Sequence, residues 1–189
     1  MNVKFNTGAP LLYTIILIAS CGFSACSQNG KAEEQKHTTN VETAKSEKPA
    51  YSGLDVSFTD EAGKVVSLAS LQGKVVFINF WATWCPPCVQ EMPSINKLKQ
   101  SFQGNDKIVF LMVDVDGKME QAREFMEKNK YDLPVYIPSG RIPGEYLGNS
   151  IPTTVILNKS GVTMAHLEGG RDYTSPEIIK VLNELVQSN

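Results

Sequence analysis

From residue 51 onward, apolar positions follow the periods of strands and helices in turn. They alternate with polar positions at residues 54–58 and recur at 65–68 after a Gly-containing turn, which predicts an opening β-hairpin. Residues 74–81 form an almost continuous run of β-branched and aromatic side chains, the pattern of a strand buried on both faces. The folded part of the chain is therefore expected to begin with a hairpin and a central strand.

Helical and strand patterns then follow one another to the end of the chain. Cys88, Met92 and Ile95 fall near one helical stripe, so a helix is expected directly after the central strand. The later elements are predicted as a strand at 108–113, a helix at 119–129, strands at 153–157 and 162–167, and a helix that Ser175 caps. The Pro/Gly-rich residues 133–150 are interpreted as an irregular insertion. This order predicts an α/β fold, with a mixed central sheet and helices on both faces.

Composition narrows the classes of function. The chain has 189 residues, four Cys, two His and a formal net charge of −2. That length suits one domain with some excess chain, and the near-neutral charge gives no basic surface for nucleic acid. Two His and no paired Cys repeat make a structural zinc site hard to assemble, and Asp114 with Asp116 is too small a set for a cation site. No metal, cofactor or nucleic acid is therefore expected.

The first 20 residues have the pattern of a secretory signal peptide. Lys4 precedes an apolar stretch at residues 9–19, which is too short to span a membrane and fits a signal-peptide core. Residues 18–21 read Ile-Ala-Ser-Cys and resemble a bacterial lipobox, in which the Cys is acylated and becomes the mature N-terminus. Cys21 is therefore the predicted lipidation site. The alternatives are Cys26, in a poorer second match, and a leader whose Cys residues are incidental.

Residues 21–50 are expected to form an acylated N-terminus and a flexible tether. From residue 27 to residue 50 the chain is dominated by Lys, Glu, Gln, Thr, Asn and Ser, and Val41 is its only aliphatic residue larger than Ala. Such a segment cannot bury enough apolar surface to offset the entropy lost on ordering it. Residues 51–189 are the predicted folded domain, and several acyl chains on Cys21 would hold it at a membrane.

A Cys-Pro-Pro-Cys sequence stands where the central strand is expected to give way to a helix. Cys85 and Cys88 are three residues apart across that helix start, so their sulfur atoms come within disulfide distance. A helix N-terminus stabilises a thiolate through its dipole and its free N–H groups. Cys85 is therefore the predicted attacking thiol and Cys88 the resolving thiol. Because Pro86 and Pro87 have no N–H, the Cys88 amide is the nearest backbone donor to the Cys85 sulfur.

The residues around this pair resemble one family. The matching stretches are residues 73–76 (Gly-Lys-Val-Val), 79–88 (Asn-Phe-Trp-Ala-Thr-Trp-Cys-Pro-Pro-Cys), 91–93 (Glu-Met-Pro) and 151–154 (Ile-Pro-Thr-Thr). Together they resemble the TlpA-like and ResA-like thiol-disulfide oxidoreductases, which have a thioredoxin fold. The resemblance extends over residues 51–189 and includes the N-terminal hairpin and the central insertion. It implies a thioredoxin fold and a dithiol that exchanges electrons with protein disulfides.

The resemblance also implies a substrate groove beside the Cys pair. Pro152 is expected to have a cis peptide bond and to face the disulfide, and Ile151 is expected to contribute to the groove. Composition alone would not predict the cis form, because few X-Pro bonds in folded proteins are cis. Trp84, Pro86 and Pro87 are the remaining predicted substrate contacts.

Glu91 is the third predicted catalytic residue. It matches an acidic residue of this family near the disulfide, and on a helix it would lie about one turn after Cys88. Cytosolic thioredoxins carry a buried Asp on the strand before the motif, but Asn79 stands there and cannot exchange a proton, which favours Glu91 for proton transfer with Cys88. A solvated carboxylate on the helix surface is the alternative interpretation. Trp81 and Trp84 are interpreted as packing residues, the second also shielding the disulfide.

These features predict a lipid-anchored, extracytoplasmic thiol-disulfide oxidoreductase that acts as a protein disulfide reductase. The expected partners are protein thiol or disulfide clients, for example the haem-attachment Cys residues of apocytochrome c, and a transmembrane thiol carrier that supplies electrons. A copper chaperone with Cys85 and Cys88 as soft ligands is the alternative, although no His or Met-rich motif lies near the pair. Peroxide reduction, which needs a peroxidatic Cys, is a third hypothesis. His166, inside an apolar strand, is interpreted as a structural residue.

Overall fold

The computed structural model describes residues 55–188, which fold around a seven-stranded mixed sheet. The strands are β1 (Ser57–Asp60), β2 (Val65–Ser67), β3 (Val75–Trp81), β4 (Ile108–Asp114), β5 (Val135–Pro138), β6 (Thr153–Leu157) and β7 (Thr163–Glu168). Their spatial order is β2-β1-β5-β4-β3-β6-β7. β3 pairs parallel with β4 and antiparallel with β6, so the predicted mixed sheet and α/β fold are confirmed.

The helices begin close to where the sequence places them. They are α1 (Pro86–Ser101), α2 (Met119–Asn129), α3 (Gly144–Leu147) and α4 (Pro176–Gln187), and a short 3-10 helix spans Leu68–Leu71. Ser175 caps α4 as predicted, because its Oγ accepts the N–H of Ile178, and Pro176 occupies the first turn, where it needs no donor.

Residues 133–150 contain regular structure that the sequence pattern did not predict. β5 pairs parallel with β4 and antiparallel with β1, and α3 follows it. The interpretation of this segment as irregular is therefore wrong for these two elements. β5 has only four residues, ends in Pro138 and has no clear alternation of apolar and polar positions, so its strand form depends on neighbours that are remote in sequence. It joins the N-terminal hairpin to the parallel strands.

Alternate residues of β3 point to opposite faces of the sheet and enter two buried cores. Phe77 and Trp81 belong to one core, which also receives side chains from α1, α2 and α4. Ile78 and Phe80 belong to the other, to which the 3-10 helix and Tyr146 of α3 contribute. The three long helices therefore share one face of the sheet. Because all seven residues of β3 are buried, the end of this strand is a rigid support for the residues that follow it.

None of the helices within residues 55–188 has the length and apolar character needed to cross a membrane. The predicted signal peptide, Cys21, Cys26 and the tether at residues 21–50 lie outside the described residues.

Candidate redox site

Cys85 and Cys88 form a disulfide at the start of α1. The S–S distance is 2.09 Å and the Cα–Cα distance is 5.3 Å. The local sequence places the pair there: β3 ends at Trp81, Cys85 is the N-cap of α1, and Pro86 and Pro87 occupy the first helical turn. Both Pro residues tolerate this position because the first N–H groups of a helix have no partner within it. The predicted pairing of the two sulfur atoms is therefore confirmed.

The Cys88 amide donates to the Cys85 sulfur over 3.3 Å, as the sequence predicts. An N-cap side chain normally accepts from the second or third residue of the helix, and in α1 the second is Pro87, which has no N–H. The Cys85 sulfur is thus left with one of the two backbone donors that an N-cap position can provide.

Replacing Pro87 with Ala is expected to lower the pKa of Cys85 in the reduced protein. The new N–H adds a second donor to the thiolate, and hydrogen bonding to the charged form of a group favours that form. The thiolate absorbance in the ultraviolet, followed across pH, measures the change. Pro86→Ala is the matched control, because the N–H it restores belongs to the first helical residue, which an N-cap side chain does not reach. Equal Cys85 pKa values in both variants and the wild type would contradict the argument.

An apolar groove of about 530 Å³ opens beside Cys85. The Ile151–Pro152 peptide bond is cis, as predicted, and the Ile151 carbonyl oxygen lies 3.8 Å from the Cys85 sulfur. Cys85 lines the groove and Cys88 does not. The other residues that line it come from Trp84 and the start of α1, from Val115, and from the end of α3 with the segment that joins it to β6: Trp84, Pro86, Pro87, Val115, Leu147, Gly148, Asn149, Ser150 and Ile151. The sequence-predicted substrate contacts other than Pro152 therefore meet in one groove.

The two Trp residues of the motif differ in their surroundings. Trp81 is fully buried in the core, whereas Trp84 is 62% exposed, so its interpretation as a packing residue is wrong. The Trp84 indole N–H donates to Asp116 over 2.7 Å, and Lys118 lies 3.3 Å from the same carboxylate. The hydrogen bond from Trp84 lowers the pKa of Asp116. Sequence reasoning weighed Asp116 only as a cation ligand; in the structure it fixes a side chain at the rim of the groove.

Glu91 is buried one turn into α1, with only 3% of the residue exposed. Its Oε1 accepts from the Asn79 side-chain amide over 2.7 Å, and its Oε2 accepts from the Arg171 backbone N–H over 3.2 Å. Burial raises the pKa of Glu91 to about 7, against the lowering effect of both hydrogen bonds and of the Arg171 charge. The alternative of a solvated surface carboxylate is therefore wrong.

A chain of hydrogen-bonded side chains extends from Glu91 across β3 and β6. The Asn79 amide also donates to Thr154 over 2.9 Å, and Thr154 accepts from the Tyr173 hydroxyl over 2.6 Å. Asn79 and Thr154 face each other on β3 and β6 and are fully buried. Burial, followed by the charge of Glu91, raises the pKa of Tyr173. Sequence reasoning missed Arg171 and Tyr173, because they lie in the loop before α4, about 80 residues beyond Glu91 and outside any motif.

His166, Asp114 and Asp116 make hydrogen bonds that stabilise the fold. The ring Nε2 of His166 lies 3.2 Å from the Tyr146 carbonyl oxygen. Asp114 accepts the backbone N–H groups of Asp116 and Lys118 and so closes the turn after β4. Within residues 55–188, no group of three or more His, Cys, Asp and Glu residues could hold a metal ion.

The strand order and the disulfide at the start of α1, next to a cis-Pro, define a thioredoxin-fold redox protein. A family comparison makes this assignment specific. The chain belongs to the Redoxin family, whose model matches residues 43–181. That range contains both cysteines of the motif, Glu91, and the cis-Pro.

Curated relatives confirm the resemblance to ResA-like proteins. Thioredoxin-like protein YneN of Bacillus subtilis is 37% identical over 111 residues, which are 57% of this chain and 64% of that protein. Thiol-disulfide oxidoreductase ResA of Bacillus cereus is 34% identical over 112 residues, which are 59% of this chain and 64% of that protein. The chain therefore matches slightly less than two thirds of the length of these relatives.

The solved structures include the exposed lipoprotein thioredoxin of Streptococcus pneumoniae. It aligns with a TM-score of 0.55 and 26% identity, over 68% of this chain and 97% of that one. A thiol:disulfide interchange protein of the thioredoxin family from Chlorobium tepidum aligns with a TM-score of 0.56 and 25% identity, over 69% of this chain and 92% of that one. Both solved structures share the fold described above.

Proposed function

We propose that this chain is a thiol-disulfide oxidoreductase that reduces protein disulfides through Cys85 and Cys88. The observation that carries the proposal is the placement of the disulfide: both Cys residues are buried, with 2% of Cys85 and 0% of Cys88 exposed, but only Cys85 lines the apolar groove. This asymmetry suits one sulfur that meets the client and one that does not. The name of the ResA relative, thiol-disulfide oxidoreductase, supports the same activity.

In the proposed reaction the reduced protein donates two electrons to a client disulfide. The Cys85 thiolate attacks one client sulfur, a mixed disulfide forms, and the other client sulfur leaves as a thiolate that takes up a proton. Cys88 then loses its proton and attacks the Cys85 sulfur, which releases the second client thiol and closes the protein disulfide. Glu91, buried one turn beyond Cys88 on α1, is the proposed acceptor of the Cys88 proton.

The groove is the proposed binding site for the client segment around its disulfide. Trp84, Pro86, Pro87 and Ile151 line it and would contact apolar side chains of the client, and Pro152 fixes the backbone beside Cys85. The groove has a mainly apolar surface, and an apolar groove favours clients whose Cys is flanked by apolar residues.

The measurement that tests this proposal is the equilibrium of the Cys85–Cys88 pair with a glutathione redox buffer, together with turnover of a disulfide-containing peptide. A C-x-x-C pair that acts as a reductant should have a potential close to the thioredoxin value of about −270 mV rather than the value of about −120 mV typical of a strong oxidant. Turnover that requires the reduced pair would support the proposal. Tight Cu(I) binding by the reduced protein with no peptide turnover would favour the copper chaperone instead.

We further propose that the protein acts outside the cytoplasm at a membrane. Residues 1–20 would be the signal peptide, Cys21 the acylated N-terminus, residues 21–50 the tether and residues 51–189 the catalytic domain. The lipobox-like sequence supports this, and the S. pneumoniae structure belongs to a protein named as an exposed lipoprotein. A transmembrane thiol carrier would then return electrons to Cys85 and Cys88, and the haem-attachment Cys residues of apocytochrome c are one proposed client.

Cys21→Ser is expected to abolish acylation and to release the protein from the membrane fraction. A serine hydroxyl cannot replace the thiol that carries the lipid, and membrane attachment depends on those acyl chains. Metabolic labelling with a radioactive fatty acid, followed by fractionation of the host cells, measures both effects. Cys26→Ser is the matched control and should leave labelling and attachment intact. Loss of label in the Cys26 variant, with label retained in the Cys21 variant, would move the anchor to Cys26.

A further inference from the structure

Only the nitrogen of the buried Asn79 side-chain amide makes hydrogen bonds. Both hydrogens of Nδ2 are donated, one to Glu91 Oε1 over 2.7 Å and one to Thr154 Oγ1 over 2.9 Å. The other end, Oδ1, is buried and has no hydrogen-bond partner among the described residues. An amide oxygen can accept two hydrogen bonds, and leaving it without any in a protein interior costs free energy. This arrangement therefore persists because the donor end has two good partners.

The partners of Glu91 suit only one of its charge states. Asn79 Nδ2 and the Arg171 backbone N–H are both donors, and they match a carboxylate, which only accepts. A protonated carboxyl group carries an O–H that must be donated, and neither N–H group can accept it. The Arg171 N–H belongs to the backbone and cannot turn. The Asn79 amide can turn, because half a rotation about its χ2 exchanges Nδ2 for Oδ1.

We propose that the Asn79 amide reverses its orientation when Glu91 takes up a proton, so that Oδ1 accepts the carboxyl O–H on Oε1. In the observed orientation Nδ2 stabilises the carboxylate. In the reversed one Oδ1 accepts from Glu91 while Nδ2 gives up both of its hydrogen bonds, so the exchange is favourable only when Glu91 is protonated. Only a proton is transferred in this step. It comes from solvent or from the Cys88 thiol, and no electron is transferred. Asn79 is thus a positioning residue that gives Glu91 a partner in both charge states.

Thr154 can serve both orientations of the amide. Its hydroxyl accepts from Asn79 Nδ2 as observed, and the same hydroxyl can donate to Oδ1 after the reversal. The Tyr173 hydroxyl, which donates to Thr154 over 2.6 Å, holds the Thr154 oxygen in place in either case.

The positive charge near Glu91 lowers its pKa, but by less than burial raises it. Arg171 favours the carboxylate through its backbone N–H and its positive charge, whereas burial favours the protonated form. Lys97 and Asp172 line a cleft of about 510 Å³ that Glu91 and Arg171 also line, and Tyr173 faces Glu91 from the loop before α4. The competing arrangement puts the proton on Oε2, with a water molecule in this cleft as the acceptor, and leaves the Asn79 amide where it is.

The catalytic use of this reversal rests on the proposed function, but its test does not. The full-length chain, labelled with ¹³C and ¹⁵N and kept oxidised, is titrated by NMR across the Glu91 pKa of about 7. Nuclear Overhauser effects from the Asn79 Nδ2 hydrogens to the Glu91 γ-methylene and the Thr154 methyl should be present above that pH and lost below it. In the oxidised protein Cys85 and Cys88 do not titrate, so a change in these signals is not caused by them.

The NMR titration has two controls. Asn129 donates its side-chain amide to the Phe125 carbonyl on the surface of α2, and its signals should not change over the same range. In Glu91→Gln, position 91 no longer titrates, and the contacts of Asn79 should be the same at every pH. Asn79 contacts that persist in the wild type while the Glu91 carboxyl carbon titrates would overturn the proposal, because they would place the proton on Oε2. Loss of peptide turnover with the reversal still observed would count against the proposed function alone.

Discussion

Replacing Cys85 with Ser is expected to abolish disulfide reduction, with a loss on the order of 10³-fold or more. Cys85 is the sulfur of the pair that lines the groove, and a serine hydroxyl cannot form the mixed disulfide through which electrons pass. Turnover of a disulfide-containing peptide with a chemical reductant measures the effect. No mixed disulfide with the peptide should be recovered from this variant after alkylation.

The Cys88→Ser variant should also lose turnover, but it should fail at a different step. Cys85 can still attack the client, whereas the buried hydroxyl at position 88 cannot release it, so the mixed disulfide should accumulate and be visible by mass spectrometry under non-reducing conditions. Cys21→Ser is the matched control for the chemical change and should retain full turnover in a soluble assay. A stable client adduct in Cys85→Ser rather than in Cys88→Ser would reverse the assigned roles.

The second large effect is a change in how stability depends on pH in Glu91→Gln. The native pKa of Glu91 is about 7 and lies above its ordinary value of 4.5, so the native state holds this proton more tightly than the unfolded state does. The stability that comes from the protonated form is complete below about pH 4.5 and is lost as the pH rises to about 7. Moving the pKa from 4.5 to about 7 corresponds to about 3 kcal/mol.

Denaturant unfolding of the oxidised protein on either side of this pH window measures the effect. The free energy of unfolding of the wild type should fall by about 3 kcal/mol more than that of Glu91→Gln as the pH rises through the window. Glu120→Gln is the control on α2, since the Glu120 side chain is 71% exposed and pairs with Arg123 at the surface. Parallel pH dependences for the wild type and Glu91→Gln would show that the burial of this carboxyl group does not have the predicted consequence.

The same variant tests the role of Glu91 in proton transfer. If Glu91 accepts the Cys88 proton, the pH–rate profile for reduction should lose the limb that reports a group with a pKa of about 7, and turnover should fall most where Glu91 would be ionised. An unchanged profile would remove Glu91 from the mechanism while leaving the stability argument intact.

Local sequence was sufficient for the elements that carry the cysteines. The apolar run at 74–81 produces a strand that is buried along its whole length, and Cys85 with two Pro residues after it produces the start of a helix. These features depend on interactions between residues a few positions apart, which is why their boundaries could be predicted closely. β5 was missed for the opposite reason, since its four residues become a strand only between β1 and β4.

The sequence by itself determined the disulfide, its position at a helix N-terminus and the single N–H that Cys85 accepts, because Pro87 removes the other donor within reach of an N-cap side chain. Only the tertiary structure decided whether the Glu91 carboxyl group is solvated or buried. A solvated and a buried Glu have the same place on α1; the difference comes from Asn79 on β3 and from the Arg171 loop, which folding brings over the helix. Removing Glu91 from water raises its pKa, against the lowering effect of its hydrogen bonds from Asn79 and Arg171, and no local pattern contains the remote segments that bury it.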